Sequence, residues 1–465
     1  MEDKSFYKWF FSLYIILVLQ NVVTLSVNLT DNIMLGAYSE AALSGVAAVN
    51  QIQFIYQQLL MALGDGLVIF CSQYWGSRQI RPMKKIAAIA MRAGLLMAMI
   101  LFFLVSVFPT QSISIFTTDH AIIAEGVTYI RIFRFTYFFF AVTQILLATM
   151  RSVEVVKIAF QLSIMTFAVN FILNYTLIFG KFGFPRLGAA GAATGTLFAR
   201  ILETIVLILY IRKKDSVLKL RIMDYLKPDR NIQTGSVLTD PEKKEYPSRL
   251  LQKDFFRIVL PMLCVQGLWG LNTAMQTVIL GHMTASAIAA NSAASTLFLI
   301  VKSAAVGAAS AASIVIGKTI GTGDLPLVHR YADRLQKIFL IIGVLSGILL
   351  FFIRIPVLRL YDLSPATMAM TNQFLIVLSV VCVGVSYQMP TNNGIIRGGG
   401  NAMFVVKLDV ISIWLIVIPI SFFMAFVVKA SPLVVLCCLN ADQIFKCLPA
   451  YLEVRYGNWI RKLTR

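Results

Sequence analysis

The chain of 465 residues has few charged residues, histidines and cysteines. Charged residues make up 14% of it, and it contains three histidines and six cysteines. Soluble domains usually hold about 25% charged residues, which excludes a water-exposed globular protein for most of this sequence. The six cysteines all fall in apolar runs and are predicted to be small core residues, with no disulfide set and no metal site: Cys71, Cys264, Cys382, Cys437, Cys438 and Cys447.

Apolar residues make up 58% of the chain and come in blocks of about 20 residues, separated by short polar turns. A block of that length crosses a bilayer as a helix, because the helix satisfies every backbone polar group internally. The sequence therefore predicts an all-α integral membrane protein with twelve transmembrane helices. The blocks lie near 10–33, 46–71, 86–108, 126–149, 156–179, 188–210, 254–280, 287–315, 335–354, 368–394, 404–427 and 432–454.

Positive charge is in excess and unevenly placed, with 41 Lys and Arg against 22 Asp and Glu. If the N-terminus is inside, the predicted external loops hold only Lys181, Arg186, Arg354, Arg359 and Lys429. This positive-inside bias predicts a multi-pass protein of the cell membrane with both termini in the cytoplasm. The expected surroundings of the chain are then a lipid bilayer, and nucleic acid is not an expected partner.

The longest polar stretch divides the chain nearly in half. It predicts an N-terminal six-helix lobe over residues 1–211, a cytoplasmic linker over 212–250 and a C-terminal six-helix lobe over 251–465. Three landmark pairs indicate that the lobes are copies: Gly36 and Gly281, Gly76 and Gly321, and Arg151 and Arg397. The first two pairs are 245 residues apart and the third 246. Six helices are an even number, so the lobes are predicted to share one orientation, related by a pseudo-twofold axis along the membrane normal.

Several short stretches resemble multidrug and toxic compound extrusion (MATE) transporters of the bacterial type. They are Asp31-Asn32-Ile33-Met34-Leu35-Gly36, Gln73-Tyr74-Trp75-Gly76, Asn170 to Tyr175 with Gly180, Gly188 to Thr194, Gly317 to Gly321, and Arg397 to Gly400. The resemblance implies a secondary active transporter and no enzyme, without a cofactor. It implies export of small amphiphilic or cationic organic substrates, multidrug efflux included, in antiport with H⁺ or Na⁺. Two complete lobes in one chain suggest function as a monomer.

Asp31 is the first candidate for ion coupling. A carboxylate within a spanning segment is costly unless it faces a cavity or a partner, and an apolar environment favours its protonated form. The resemblance assigns this position to cation or proton coupling. The alternative is a helix-end or structural hydrogen-bond acceptor.

Asn170 and Asn174 share one helix face because they are four residues apart. With Asp31 and Thr194 they would form an oxygen-rich pocket in the outer part of the membrane. These ligand types suit Na⁺, with Asp31, Asn170 and Asn174 as its ligands. Alternatively, they could stabilise Asp31 as it gains and loses a proton. The alternative for the asparagine pair is helix–helix hydrogen bonding.

The C-terminal lobe lacks two acids that some members of the family carry in helices 7 and 10, so ion coupling is expected in the N-terminal lobe. Lys302 lies in the middle of a predicted span, where it could line a substrate cavity or hold a structural ion pair. The other substrate-cavity candidates are Tyr137, Trp269, Tyr387 and Gln388, since aromatic faces suit organic cations. Packing or contact with lipid is the alternative for each aromatic.

Four charged residues near the cytoplasmic helix ends are predicted to have gating or structural roles: Asp65, Arg151, Arg397 and Asp409.

Two alternative functions would require residues other than those identified above. A flippase for lipid-linked precursors would need several cations in its cavity for phosphate. A membrane-bound transferase would need an acidic or histidine-bearing loop at the membrane face, and the sequence has none.

Overall fold

The computed structural model describes residues 2–117, 119–214, 247–281, 283, 285–359 and 365–463, and most of them are helical. The first half contains α1 Glu2–Tyr38, α2 Glu40–Gly76, α3 Ile80–Val107, α4 Pro109–Ser114, α5 His120–Phe133, α6 Thr136–Ser152, α7 Lys157–Phe179 and α8 Ala189–Lys214. The second half contains α9 Ser248–Gly281, α10 Ala285–Thr322, α11 Leu325–Leu358, α12 Pro365–Ile396, α13 Ala402–Val427, α14 Pro432–Leu439, α15 Asp442–Phe445 and α16 Cys447–Tyr456.

Eleven helical segments of the described part are long and apolar enough to cross a membrane, and the bent pair of α5 and α6 brings the number to twelve. The prediction of an all-α membrane protein with about twelve spans is therefore confirmed. The span predicted at 126–149 differs in detail, because α5 and α6 meet there at 54°. At this break the Thr136 hydroxyl donates to the Phe133 carbonyl at 2.6 Å. Such a bond competes with the regular helix ladder.

Local sequence sets several of the helix ends. The Ser39 hydroxyl accepts a hydrogen bond from the Ala42 amide at the start of α2, and the Asp119 carboxylate accepts from the Ala121 amide at the start of α5. These side chains satisfy amide groups that have no partner within the first helical turn. Gly180 ends α7 in the left-handed region at φ 67°, which glycine adopts without a steric penalty.

The chain packs as two compact units. The N-terminal unit is Leu19–Arg257, and the C-terminal unit is Met1–Val18 together with Ile258–Arg465. The first 18 residues therefore belong with the second half of the chain, which the division into 1–211 and 251–465 does not anticipate. Most of the predicted linker 212–250, residues 215–246, lies outside the described residues.

Wider π-helical turns interrupt the regular helix geometry in the C-terminal unit. They occupy Thr391–Ile396 at the end of α12, and Val410–Val417 and Phe423–Val427 within α13. Pro390 directly precedes the first π-turn, and Pro419 lies between the other two. Proline removes one backbone donor from the ladder, and the backbone re-forms here with a longer spacing, as in the bond from the Arg397 amide to the Asn392 carbonyl at 2.9 Å.

Helices α2 and α5 approach closely because glycines face each other. A Cβ on Gly45 would lie 2.7 Å from the Gly126 amide nitrogen and 2.8 Å from the Ile122 carbonyl oxygen. Small residues let helix backbones approach one another, which is a main source of packing energy in membranes. This contact helps to hold the N-terminal unit together.

Replacing Gly45 with alanine should therefore destabilise the protein. We expect a cost of about 1–3 kcal/mol from overpacking, since the new methyl group meets backbone that cannot rotate away. The measurement is the thermal unfolding midpoint of the detergent-purified chain. Gly267→Ala is the matched control, because a Cβ there meets no atom within 4 Å. Equal midpoints for the two variants would contradict the prediction.

Candidate functional site

Asp31, on α1, lies next to α7 and is held by a hydrogen bond. The Asn174 side-chain nitrogen donates to Asp31 Oδ1 at 2.8 Å. Asp31 is partly buried and Asn174 is fully buried. A donor to the carboxylate compensates part of the cost of removing it from water. The Asp31 carboxylate therefore has a fixed hydrogen-bond partner and also borders a cavity.

The two asparagines of α7 extend this contact into a network. Asn174 Nδ2 also lies 3.2 Å from Asn170 Oδ1, and Asn170 Nδ2 donates to the Thr196 hydroxyl of α8 at 3.1 Å. Asp31, Asn174, Asn170 and Thr196 thus form a continuous hydrogen-bonded row across three helices. Their oxygen atoms are the hard ligands that small cations prefer.

One oxygen of this row has no hydrogen-bond partner. Asn174 Oδ1 is buried and unpaired, although buried polar atoms are nearly always paired. It lies against Gly195, where a Cβ would overlap it. The absence of a side chain at Gly195 therefore gives the Asn174 carboxamide its position beside Asp31.

Asp31 borders a cavity of about 110 Å³ inside the N-terminal unit. Six of its lining residues are carboxamides: Gln20, Asn28, Asn50, Gln53, Gln57 and Gln144. The charged lining residues are Asp31, Arg200 and Glu203. A space of this kind holds polar groups and water rather than a purely apolar ligand.

Arg200 and Glu203 form a buried ion pair on the cavity wall. Their side chains are 2.7 Å apart, and only 6% of the Glu203 side chain is exposed. The Arg200 guanidinium also lies 5.1 Å from the centre of the Phe140 ring. With both residues charged, the wall carries one more negative than positive charge when Asp31 is ionised and none in excess when Asp31 is protonated.

The structure brings Asp31, Asn170 and Asn174 together and places Thr194 differently. The Thr194 hydroxyl donates to the Ala190 carbonyl of its own helix at 2.8 Å and does not join the row. Thr196, two residues further on, takes part instead. Counting residues along a helix gives depth in the membrane, but it does not give the direction in which a side chain points.

Glu203, Tyr129 and the carboxamide lining are functional-site residues that were not predicted from the sequence. An acid at position 203, inside an apolar block, was a usable signal under the same argument that selected Asp31. Tyr129 is buried and lines the cavity. The glutamines and asparagines gave no such signal, since neutral amides are common at helix contacts.

Tyr137 lies in the core of the N-terminal unit. Its ring is fully buried, 5.3 Å from the ring of Tyr56, whose hydroxyl donates to the Tyr137 carbonyl at 2.9 Å. It is not among the residues that line the described cavity.

The predicted gate residues Arg151 and Asp65 of the same unit lie 3.4 Å apart.

The C-terminal unit contains a row of buried charges, in which Arg397 and Asp409 were predicted from the sequence and Asp442 and Lys446 were not. Lys446 lies 2.9 Å from Asp442 and 2.9 Å from Asp409, and Arg397 lies 3.7 Å from the other oxygen of Asp409. The row continues through Gln443, which donates to Asp442 at 2.7 Å.

Of the candidates in this unit, Gln388 joins the same row and donates to Gln443 at 2.9 Å. Tyr387 is partly buried, and its carbonyl accepts a bond from the Thr391 hydroxyl. The Lys302 ammonium nitrogen lies 5.4 Å from the centre of the Trp269 ring. Among the described residues, no group of three His, Cys, Asp or Glu side chains could hold a metal ion.

Comparison with known proteins connects this architecture to a family of transporters. The family model MatE matches residues 17–176 and 261–423. The chain is 23% identical over 460 residues to the probable multidrug resistance protein NorM of Thermotoga maritima, covering 96% of this chain and 92% of that protein. It is 21% identical to the uncharacterized transporter YisQ of Bacillus subtilis, covering 93% and 90%.

Solved structures agree on the fold. The crystal structure of MATE in complex with MaL6 superimposes with a TM-score of 0.84 at 16% identity, covering 96% of this chain and 95% of that one. A mutant of the Vibrio cholerae MATE transporter VcmN gives 0.83 at 14% identity, covering 97% of each chain. The resemblance inferred from the sequence motifs is confirmed: the chain belongs to the MatE family of multi-pass membrane transporters.

Proposed function

We propose that this chain exports small amphiphilic or cationic organic molecules in antiport with H⁺ or Na⁺. The observation that carries the proposal is the row from Asp31 through Asn174 and Asn170 to Thr196, which joins a carboxylate to a polar cavity. Relatives of similar length are described as probable multidrug resistance proteins, which supports an organic cargo. No cofactor is required for this activity.

In this proposal the ion and the substrate bind in the same N-terminal unit, and binding of one disfavours binding of the other. A proton or Na⁺ at Asp31 removes the excess negative charge of the cavity wall and with it the attraction for a cationic cargo. The bound ion then favours the opposite state of an alternating-access cycle between two lobes. Coupling of this kind requires the ion to bind the two states with different affinities.

The cavity charges argue against a flippase for lipid-linked precursors. Phosphate groups are bound through several cations, whereas this wall offers Arg200 against Asp31 and Glu203. Arg200 is moreover already paired with Glu203. An organic molecule with a basic group suits this arrangement better.

Removing the ionisable group of Asp31 tests the coupling. In proteoliposomes, Asp31→Asn should reduce ion-driven export of ethidium by about tenfold or more, the loss that follows when one charge-assisted interaction is removed. The amide can still accept the Asn174 bond, so the fold should survive. Imposing a pH gradient or a Na⁺ gradient separately identifies the ion.

The matched control is Asp119→Asn, because Asp119 caps α5 and asparagine caps a helix equally well. We expect its export to equal that of the wild type. Wild-type export by Asp31→Asn with unchanged ion dependence would refute the coupling role.

Gly195 provides a second test that leaves every ionisable group in place. In the variant Gly195→Ala the new methyl group would overlap Asn174 Oδ1. This oxygen is the end of a side chain that can rotate. The chain should therefore fold, while the bond between Asn174 and Asp31 is lost and the ion dependence of export shifts to a higher concentration. Gly94→Ala is the control, since its nearest neighbour is the side-chain carbon Leu60 Cδ2 at 3.4 Å. If both variants keep the wild-type ion dependence, the asparagine is not part of the coupling site.

We also propose that both termini lie in the cytoplasm of a cell-membrane protein that works as a monomer. The uneven distribution of Lys and Arg supports this orientation. Fusion of green fluorescent protein to either end should give fluorescent cells, whereas alkaline phosphatase at either end should be inactive. An active phosphatase fusion would reverse the assignment.

A further inference from the structure

Two arginines lie at the break between α5 and α6 and take no part in the proposed mechanism. Arg131 is exposed and Arg134 is partly buried, and neither lines the N-terminal cavity. Within the described part of the chain, neither side chain forms an ion pair or a hydrogen bond. A cation in a spanning segment needs water or an anion near it, so these two charges call for a partner from outside the protein.

The break lies at the edge of the hydrocarbon core. Arg134 is 18 residues from the end of α6 at Ser152, or about 27 Å at 1.5 Å per residue. Phe102 on α3 is 22 residues from the start of that helix at Ile80, or about 33 Å. Since the core of a bilayer is about 30 Å thick, both residues lie at the level of the lipid headgroups. In the orientation proposed above, this level belongs to the outer leaflet.

Two aromatic rings hold the Arg134 guanidinium in place. Its central carbon lies 5.3 Å from the centre of the Phe102 ring and 5.2 Å from the centre of the Phe135 ring. Stacking on a ring uses the flat face of a guanidinium and leaves its N–H edge for an acceptor. The Arg134 Nε donor has no hydrogen-bond partner among the described residues, so the protein itself does not use this edge.

The surface of α3 next to these rings is apolar and exposed. A helix face of this kind at the level of the hydrocarbon core contacts acyl chains. A phosphate at the arginines and an acyl chain along α3 can therefore belong to one molecule, whereas a free anion would gain nothing from the apolar face. The exposed residues are Met99, Ile100, Phe103 and Leu104.

We propose that Arg131, Arg134, Phe102 and Phe135, here called the arginine cluster, bind the phosphate of an anionic phospholipid. The two guanidinium groups supply the charge and the paired donors that match phosphate oxygens. The rings fix one of these groups, which reduces the entropy lost when the lipid binds.

The same break also forms part of the cavity wall. Tyr129, Phe133 and Thr136 line the N-terminal cavity, and the Thr136 hydroxyl donates to the Phe133 carbonyl at 2.6 Å. A lipid phosphate at the arginine cluster would therefore stabilise a segment that shapes the cavity. Lipid binding at this place requires neither the exported molecule nor the coupling ion.

Native mass spectrometry of the detergent-purified full-length chain tests the site, because it counts the lipids that stay bound. The probes are phosphatidylglycerol and phosphatidylcholine with identical acyl chains. The wild type should bind phosphatidylglycerol at least about tenfold more tightly, since a hydrogen bond to a charged group is worth that much. Arg131→Gln combined with Arg134→Gln should reduce the preference to about twofold or less. Each single variant should lower it by about threefold, which keeps the test readable if the pair does not fold.

The matched control is Lys181→Gln combined with Arg359→Gln, which removes two exposed charges from the predicted external loops and should keep the wild-type preference. Equal binding of the two lipids by the wild type would overturn the site, and so would an unchanged preference in both single variants. An equal loss in the control would show unspecific attraction to positive charge and also contradict the site. Inorganic phosphate at the same concentration should not displace phosphatidylglycerol; displacement would show a site for a free anion instead of a lipid. None of these measurements depends on export, so the proposed function stands or fails separately.

Discussion

The hydrogen bond from Asn174 to Asp31 is the contact on which the candidate site depends. An ionised carboxylate within a membrane span is tolerated only where partners or a cavity compensate its charge. Asn174 supplies a donor at 2.8 Å, and the cavity of the N-terminal unit supplies space on the other side. Protonation weakens the attraction for that donor, because hydrogen bonds to a charged acceptor are stronger than those to a neutral one. In the proposed mechanism, a proton or ion at Asp31 would therefore weaken the contact between Asp31 on α1 and Asn174 on α7.

The geometry of this contact is determined by residues that carry no charge. Gly195 leaves room for the Asn174 carboxamide, and Gly191 brings α8 against α7, where a Cβ would lie 2.6 Å from the Leu177 carbonyl oxygen. Both glycines fall within or next to the small-residue stretch from Gly188 to Thr194. The small residues of this stretch thus have a physical role in this chain, because they let the α7 asparagines reach their positions. The ionisable group, Asp31, comes from a different helix.

Hydropathy was sufficient to predict the helices, because a spanning segment must be apolar over a length that the bilayer determines. It gave no warning of the break between α5 and α6, where a threonine hydroxyl binds a backbone carbonyl. Spacing along one helix was sufficient to group Asn170 with Asn174. Thr194 and Thr196 could not be distinguished, since they differ by only about 3 Å in depth and the residue count does not give the direction of either side chain. Asp442 and Lys446 were overlooked because opposite charges four residues apart compensate each other inside an otherwise apolar block.

The repeat keeps its landmark glycines while it changes the charge at other matching positions. Gly36 and Gly76 have glycine counterparts at Gly281 and Gly321. Asp31 and Gln57 line the N-terminal cavity, and a side chain that borders a cavity can change its charge with little effect on packing. Asp31 and Gln276 show this freedom, and so do Gln57 and Lys302. Two copies of one scaffold therefore differ in charge at matching positions, with an acid at 31 against an amide at 276 and an amide at 57 against a lysine at 302.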